Sequence, residues 1–224
     1  MNYEEMSNNK LHLQGVVVQE LVFSHEVCGE GFFETFLKIN RLSGQVDVIP
    51  ITISERLIEK HNIKVGDEIA IVGQFRSYNK ILGEKSKLVL TAFVREVVEN
   101  SQNNPNEIQL TGYICKQPIY RVTPFKREIC DTLVAVNRAY GKSDYIPCIL
   151  WGRNARYTND LAVGEKLTLY GRVQSRKYMK ILADGSEEEK VAYEVSVSKI
   201  EVFKNDRKDE ENTAEMLSVF QKSS

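Results

Sequence analysis

A chain of 224 residues with 42 % hydrophobic side chains is long enough for two cores of about 100 residues each. No stretch approaches the ~18 uninterrupted apolar residues of a membrane span, and the opening Met1–Lys10 segment is polar and acidic, unlike a secretory signal, so a soluble cytoplasmic protein is expected. A net charge of −1 hides an asymmetry: residues 1–98 carry 11 Lys+Arg against 13 Asp+Glu, and residues 107–203 carry 15 against 12.

In chain order, β-branched and aromatic runs predict strands at about 11–23, 32–40, 46–53, 67–77 and 87–98. Ser54 to Lys60 reads as a capped helical turn between the third and fourth of these. Phe32, Phe33 and Phe36 share a strand, so alternation points two of the three inward and leaves them candidates for a partner surface. Asn100 to Asn106 has no apolar residue and contains Pro105, which predicts a linker over 100–106. The plan then repeats, with strands at about 107–117, 129–138, 144–151, 166–178 and 191–203 and a helix from Arg153 to Asp160. The acidic run Glu187-Glu188-Glu189 is expected at a projecting turn, apart from nine cations between Arg138 and Lys180. From Lys204 the chain begins as a charged run and is expected to be mostly mobile, with Met216, Leu217 and Phe220 spaced to share one side of a short helix.

The two halves are copies. At an offset of 97, Leu13, Gly15, Thr35, Asn40, Arg41, Gly44, Asp47, Ile49 and Pro50 fall on Leu110, Gly112, Thr132, Asn137, Arg138, Gly141, Asp144, Ile146 and Pro147. At 98, Val65, Gly66, Gly73 and Ser77 fall on Val163, Gly164, Gly171 and Ser175. Five strands with a helix between the third and fourth, in about 90 residues, is the plan of the OB fold, a small Greek-key barrel. The expectation is therefore an all-β chain of two tandem OB folds, residues 1–99 and 107–203. Gly73 and Gly171 lie inside strands and predict bulges or sharp bends, while Pro50 and Pro147 predict an edge or bulge.

Chemistry beyond binding finds little support. Cys28, Cys115, Cys130 and Cys148 have no C-x-x-C spacing and read as free thiols, mostly buried. His12, His25 and His61 lack metal-ligand spacing, and no phosphate-cradling loop or nucleophile motif occurs. Neither a cofactor, a metal nor a catalytic residue is expected.

The second copy resembles the bacterial single-stranded-DNA-binding protein family. The resemblance is carried by Arg121-Val122-Thr123-Pro124, Leu133 to Arg138, Asp144 to Arg153, Gly171 to Tyr178 and Tyr193-Glu194-Val195. It implies stacking of bases on Tyr140, Tyr145, Trp151 and Tyr178, with Arg138, Arg153, Arg172, Arg176 and Lys177 beside them for phosphates. The first copy resembles the family only through Asn40-Arg41 and Gly73 to Ser77. Its aligned positions read Ser43, Val48, Ser54 and about Lys80, with Tyr78 nearby. Most of the stacking kit is therefore absent there, and Arg41, Arg56, Arg76, Tyr78 and Lys80, with Lys85 and Lys87, are expected to give weaker contacts. The chain departs from the family in ending Val219-Phe220-Gln221-Lys222-Ser223-Ser224 rather than in an acidic tail with an apolar tip.

Non-enzymatic, largely sequence-independent binding of single-stranded DNA in replication, repair or recombination is the function the resemblance implies, by a homodimer presenting four barrels. The alternative is an adaptor of the primosome or recombination machinery that holds replication or repair proteins and touches DNA only incidentally. An RNA-binding OB protein is a third reading, and a DNA-against-RNA competition separates it.

Overall fold

The computed structural model describes residues 8–82, 85–100, 106–182 and 184–203. The tail with Met216, Leu217 and Phe220 lies outside the described residues, as do the side chains of Lys80, Lys85 and Tyr140.

The first half is built from β1 (Asn9–Val17), β2 (Val22–Val27), β3 (Glu30–Asn40), β4 (Val46–Ser54), α1 (Glu55–His61), β5 (Glu68–Leu82) and β6 (Lys85–Val98). The second half repeats it as β7 (Asn106–Ile114), β8 (Ile119–Val122), β9 (Glu128–Asn137), a 3-10 turn (Ala139–Gly141), β10 (Ser143–Trp151), α2 (Arg153–Asn159), β11 (Lys166–Ile181) and β12 (Glu187–Val202). In the first half β1 pairs with both β3 and β5, β3 with β4, β4 in parallel with β6, and β6 with β5, closing a five-stranded barrel. β7 to β12 close a second barrel by the same pairings. Each barrel has the OB-fold strand order.

Strand alternation drives closure by sending one set of side chains inward. Leu13, Leu37, Ile49, Ile51, Ile71 and Phe75 fill the first barrel; Leu110, Val134, Ile146, Leu150, Leu169 and Val173 fill the second. Each such side chain contributes about 1.5–3 kcal/mol when fully buried. Leu57 of α1 and Ala155 of α2 are buried with them, where each helix packs on its barrel. The ladders shift register at Val72/Gly73 and Tyr170/Gly171, the bulges expected there. A Cβ at Gly73 would lie 2.1 Å from the Phe93 carbonyl oxygen and one at Gly171 2.2 Å from that of Ser196, so only glycine fits. Pro50 and Pro147 each sit one residue before the parallel pairing begins, at Ile51 and Cys148, so the missing N–H faces an unpaired edge without a bulge.

Several expectations are corrected. The run 11–23 is broken after Val17, and Val22–Val27 turns back along β3; Ile119–Val122 does the same on β9. Asn106 is no linker residue but opens β7. Its amide clamps the backbone of Val173, donating to O at 2.8 Å and accepting from N–H at 3.0 Å, and Asn9 clamps Phe75 in the same way at 2.8 and 2.9 Å. Glu187–Glu189 do not project from a turn but start β12 opposite β11, where Glu189 accepts from Lys177 at 2.9 Å. Ser54 precedes α1 without a capping hydrogen bond. None of Phe32, Phe33 and Phe36 is fully buried: Phe32 and Phe36 alternate away from the face of β3 that buries Thr35, Leu37 and Ile39, and only Phe33 shares that face, half-buried near the strand start. All four cysteines are free: Cys130 and Cys148 are buried and Cys28 is exposed.

The barrels do not stand apart. β1 pairs antiparallel with β7 from Asn9↔Leu110 to Leu13↔Asn106, so one sheet runs through both. Reciprocal contacts flank this seam. Asp47 accepts from the Ser175 N–H at 2.8 Å while the Val48 N–H donates to Ser175 Oγ at 3.1 Å. In the mirror arrangement Asp144 accepts from the Ser77 N–H at 2.5 Å and the Tyr145 N–H donates to Ser77 Oγ at 2.7 Å. Two copies of one sequence thus meet about a local pseudo-two-fold axis.

Candidate nucleic-acid interface

β11, β12 and the end of β10 form one wall of an open groove of about 1280 Å³, and the β3–β4 turn of the first barrel forms the other. Trp151, Tyr193, Arg172, Arg176 and Lys177 line it from the second barrel; Arg41, Ser43 and Val48 line it from the first. Arg127 adds a fifth cation, and no Asp or Glu is among the described lining residues. Such a surface favours an anion that also carries flat apolar faces.

Trp151 ends β10 on the outward face, half-buried, and its Nε1–H donates to Ser196 Oγ at 3.1 Å. The bond holds the indole against β12, on the groove wall. Arg172 lies just beyond the bulge, and burial, with Arg41 nearby, pulls its guanidinium below the ordinary value. The cations are therefore crowded, which an entering phosphate would relieve. Arg176 reaches Glu194 at 3.4 Å and lies over the Tyr178 ring at 5.8 Å. Gln174, buried beneath, donates to the same Glu194 at 2.8 Å and keeps this carboxylate occupied under the groove floor.

Of the residues expected from sequence, Trp151, Arg172, Arg176, Lys177 and Arg41 come together in the groove. Tyr145 and Tyr178 are exposed, at 45 % and 39 %, but neither lines it. Tyr145 stands on the outward face of β10 with Trp151, six residues or about 20 Å away. Arg153 is exposed at the start of α2 and outside the groove. Arg138 departs most from its expected role. Its guanidinium pairs with buried Asp144, through Nε at 2.7 Å and through Nη2, and Nη2 also donates to the Ser77 carbonyl at 2.6 Å. It ties the barrels together and lies outside the Trp151 groove. Arg41 pairs with Asp47 in the same way at 2.6 Å, an interaction that raises its pKa, yet stays on the groove wall. Arg56 reaches only Glu30, at 3.5 Å.

Sequence reasoning missed Arg127 and Tyr193. Tyr193 lies near the start of the predicted last strand, and a count of outward-facing aromatics along that strand would have found it. Arg127 sits in the turn before β9, which reaches the groove only once the barrel closes.

Arg76 and Tyr78 belong to a different groove, of about 790 Å³, on the first barrel. It is lined by β2, β5 and β6 together with Arg138 of the second barrel. Burial, then the neighbouring Arg138 and Arg95, pull the Arg76 guanidinium down to about 10, still protonated at neutral pH.

Among the described residues no group of His, Cys, Asp or Glu is placed to hold a metal ion, and no helix is long and apolar enough to cross a membrane.

Residues 105–203 match the Single-strand binding protein family. The Single-stranded DNA-binding protein of Clostridium tetani is 34 % identical over 80 residues, covering 33 % of this chain and 55 % of that protein. The chain thus spans about half the length of the curated relatives it matches. Among solved structures, the wild-type single-stranded DNA binding protein from Thermus aquaticus aligns over 88 % of this chain and 93 % of its own, with a TM-score of 0.66 and 18 % identity. The N-terminal domain of PriB protein from Thermoanaerobacter tencongensis, described as a dimeric structure, is 47 % identical over 41 % of this chain and 94 % of its own, with a TM-score of 0.37.

Proposed function

We propose, from the match of residues 105–203 to the Single-strand binding protein family, that this chain binds single-stranded DNA with little sequence preference, in replication, repair or recombination, and without catalysis. The groove carries the reading: five cations, Trp151 and Tyr193 line it with no carboxylate among its described lining residues. Unpaired bases offer π faces whatever their identity, and each aromatic platform is worth about 1–3 kcal/mol per base. Arg172, Arg176 and Lys177 face the phosphates between stacked bases. Tyr145 and Tyr178 extend the path beyond the groove, and Tyr140 and Arg153 are further proposed contacts. Arg138 acts by positioning, through Asp144.

In this reading residues 107–203 are the main binding unit. Residues 1–99 complete the groove with Arg41, residues 100–105 connect the two, and residues 204–224 are a tail. The proposed assembly is a homodimer with four barrels, in the bacterial cytoplasm at the nucleoid. Sedimentation equilibrium tests the assembly, and a mass of 25.7 kDa at micromolar concentration would overturn it.

Trp151 is the only tryptophan in the chain, so its fluorescence reports this groove alone. Oligo-dT quenches it, duplex DNA does so far less, and a parallel RNA titration sets the DNA preference. Emission unchanged at saturating oligo-dT overturns the proposal.

The adaptor reading rests on a separate observation. β2 is exposed along all six residues, including Val22, Phe23 and Val27, at an outer edge of the sheet. Such an edge suits a partner that adds a strand.

A further inference from the structure

The first barrel has lost the tryptophan position of the second, since Ser54 occupies the place of Trp151, opposite Phe32 as Trp151 is opposite Ile129. Its groove nevertheless contains flat groups, supplied by other strands. Across β2, β3, β6 and β5 run His25, Phe32, Phe93 and Arg76. The His25 and Phe32 rings are 5.1 Å apart and 11° from parallel; Phe32 and Phe93 are 5.7 Å apart at 31°; the Arg76 guanidinium carbon lies 4.0 Å over the Phe93 ring. The strand between Phe32 and Phe93 presents only Ser54 and Thr52, both small and buried, opposite the two rings. The small residues leave room for the rings to converge from either side.

One end of this column is the exposed imidazole of His25 and the other the half-buried guanidinium of Arg76. Both ends line the 790 Å³ groove, as do Phe93, Tyr78 and Arg138. A base can therefore stack on the His25 face or on the guanidinium plane, and Arg76 can meet the adjoining phosphate. Glu34 is the one carboxylate among the described lining residues. Its Oε1 accepts from Ser24 at 2.7 Å and from the Tyr78 hydroxyl at 3.2 Å, which keeps phosphates on the Arg76 side. The pseudo-two-fold axis completes the comparison: the second barrel lends Arg138 to this groove as the first lends Arg41 to the other.

We infer that the first barrel holds a second nucleobase-binding site, built on the His25–Phe32–Phe93–Arg76 column instead of on a tryptophan. A strand threading the Trp151 groove would engage it across the pseudo-two-fold axis. The inference takes its ligand class from the single-strand reading above.

Photocrosslinking of the full-length chain tests both, using an oligo-dT of about 35 nucleotides, more than two OB-fold sites of up to ~16 each, with scattered 5-iodo-deoxyuridines that join to stacked aromatic rings. Adducts on peptides containing His25, Phe32 or Phe93, in addition to the Trp151 and Tyr193 peptides, are expected. Adducts at Trp151 and Tyr193 alone overturn the second site and leave the first reading standing. Adducts on the first barrel alone uphold the second site and overturn that reading, and none on either barrel overturns both. Phe93→Ser, which restores the small residue found at Ser196, should abolish the first-barrel adducts and weaken binding of the long oligonucleotide by between about 5- and 100-fold, leaving Trp151 quenching by a short oligo-dT unchanged. His25→Ala, at an exposed position that does not hold the barrel together, should reduce the same adducts; undiminished adducts in a folded His25→Ala protein remove His25 from the site and overturn the column as its basis.

Discussion

The two barrels share a strand plan, a bulge and an interface, yet exchange side chains across their corresponding faces. In the second barrel β10 carries the large aromatic, Trp151, and β12 the small Ser196; in the first, β4 carries the small Ser54 and β6 the large Phe93. Past the bulge the order is also reversed. Arg172 and Gln174 follow Gly171, whereas Gln74 and Arg76 follow Gly73, and in each the guanidinium lies near the glutamine oxygen, at 3.5 and 2.8 Å. A position-by-position reading scores each exchange as a loss. In space the same kinds of group return to the same face from the neighbouring strand or from two residues along it.

The largest expected effect tests whether the seam is as symmetric as its hydrogen bonds. Asp47 and Asp144 are almost wholly buried, and each accepts from an arginine and from a backbone N–H of the other barrel. Asp47→Ala and Asp144→Ala should each destabilise the chain by about 3–5 kcal/mol in urea unfolding, since a buried pair is broken and its arginine left behind. A large loss from one and none from the other would break the symmetry.

Next is the Trp151 side of the comparison. Trp151→Ala should cost about 1–3 kcal/mol of single-strand affinity and barely shift the urea midpoint. A stability loss of ~3–5 kcal/mol instead would identify the indole as core. The cations give a smaller, graded effect. Four or five phosphate contacts imply a slope of log affinity against log salt near −3, at about −0.7 per contact, and Arg172→Gln should flatten it by about one contact. The same change at Arg138 should alter stability more than slope, because its guanidinium is already held by Asp144.

Thiol titration gives the smallest signal and separates the barrels without mutation. Cys28 is exposed in the first barrel and should react at once with a disulfide reagent. In the second, burial pushes the Cys130 and Cys148 thiols up, so little thiolate forms at neutral pH and both should react only on unfolding. Partly buried Cys115, raised for the same reason, should fall between. Fast reaction of Cys148 in the folded protein would mean that the second barrel opens far more readily than its packing implies.

The sequence by itself determined the repeat, the closed barrels and the glycine bulges. These depend on local rules: alternation of apolar residues along a strand, and a Cβ that cannot fit at Gly73 or Gly171 beside a carbonyl oxygen. Through the family resemblance it also put forward Trp151, Arg172, Arg176 and Lys177, which lie on the adjoining strands β10 and β11. The partners of Arg138 and Arg41 were decided only by the tertiary structure, because Asp144 and Asp47 lie across a turn and Ser77, whose carbonyl Arg138 also reaches, lies in the opposite barrel. Neither could sequence foresee the groove wall shared between barrels, nor the column of His25, Phe32, Phe93 and Arg76. Those four residues are spread over some seventy positions, and only barrel closure, by laying β6 beside β4 in parallel, brings their flat faces into register.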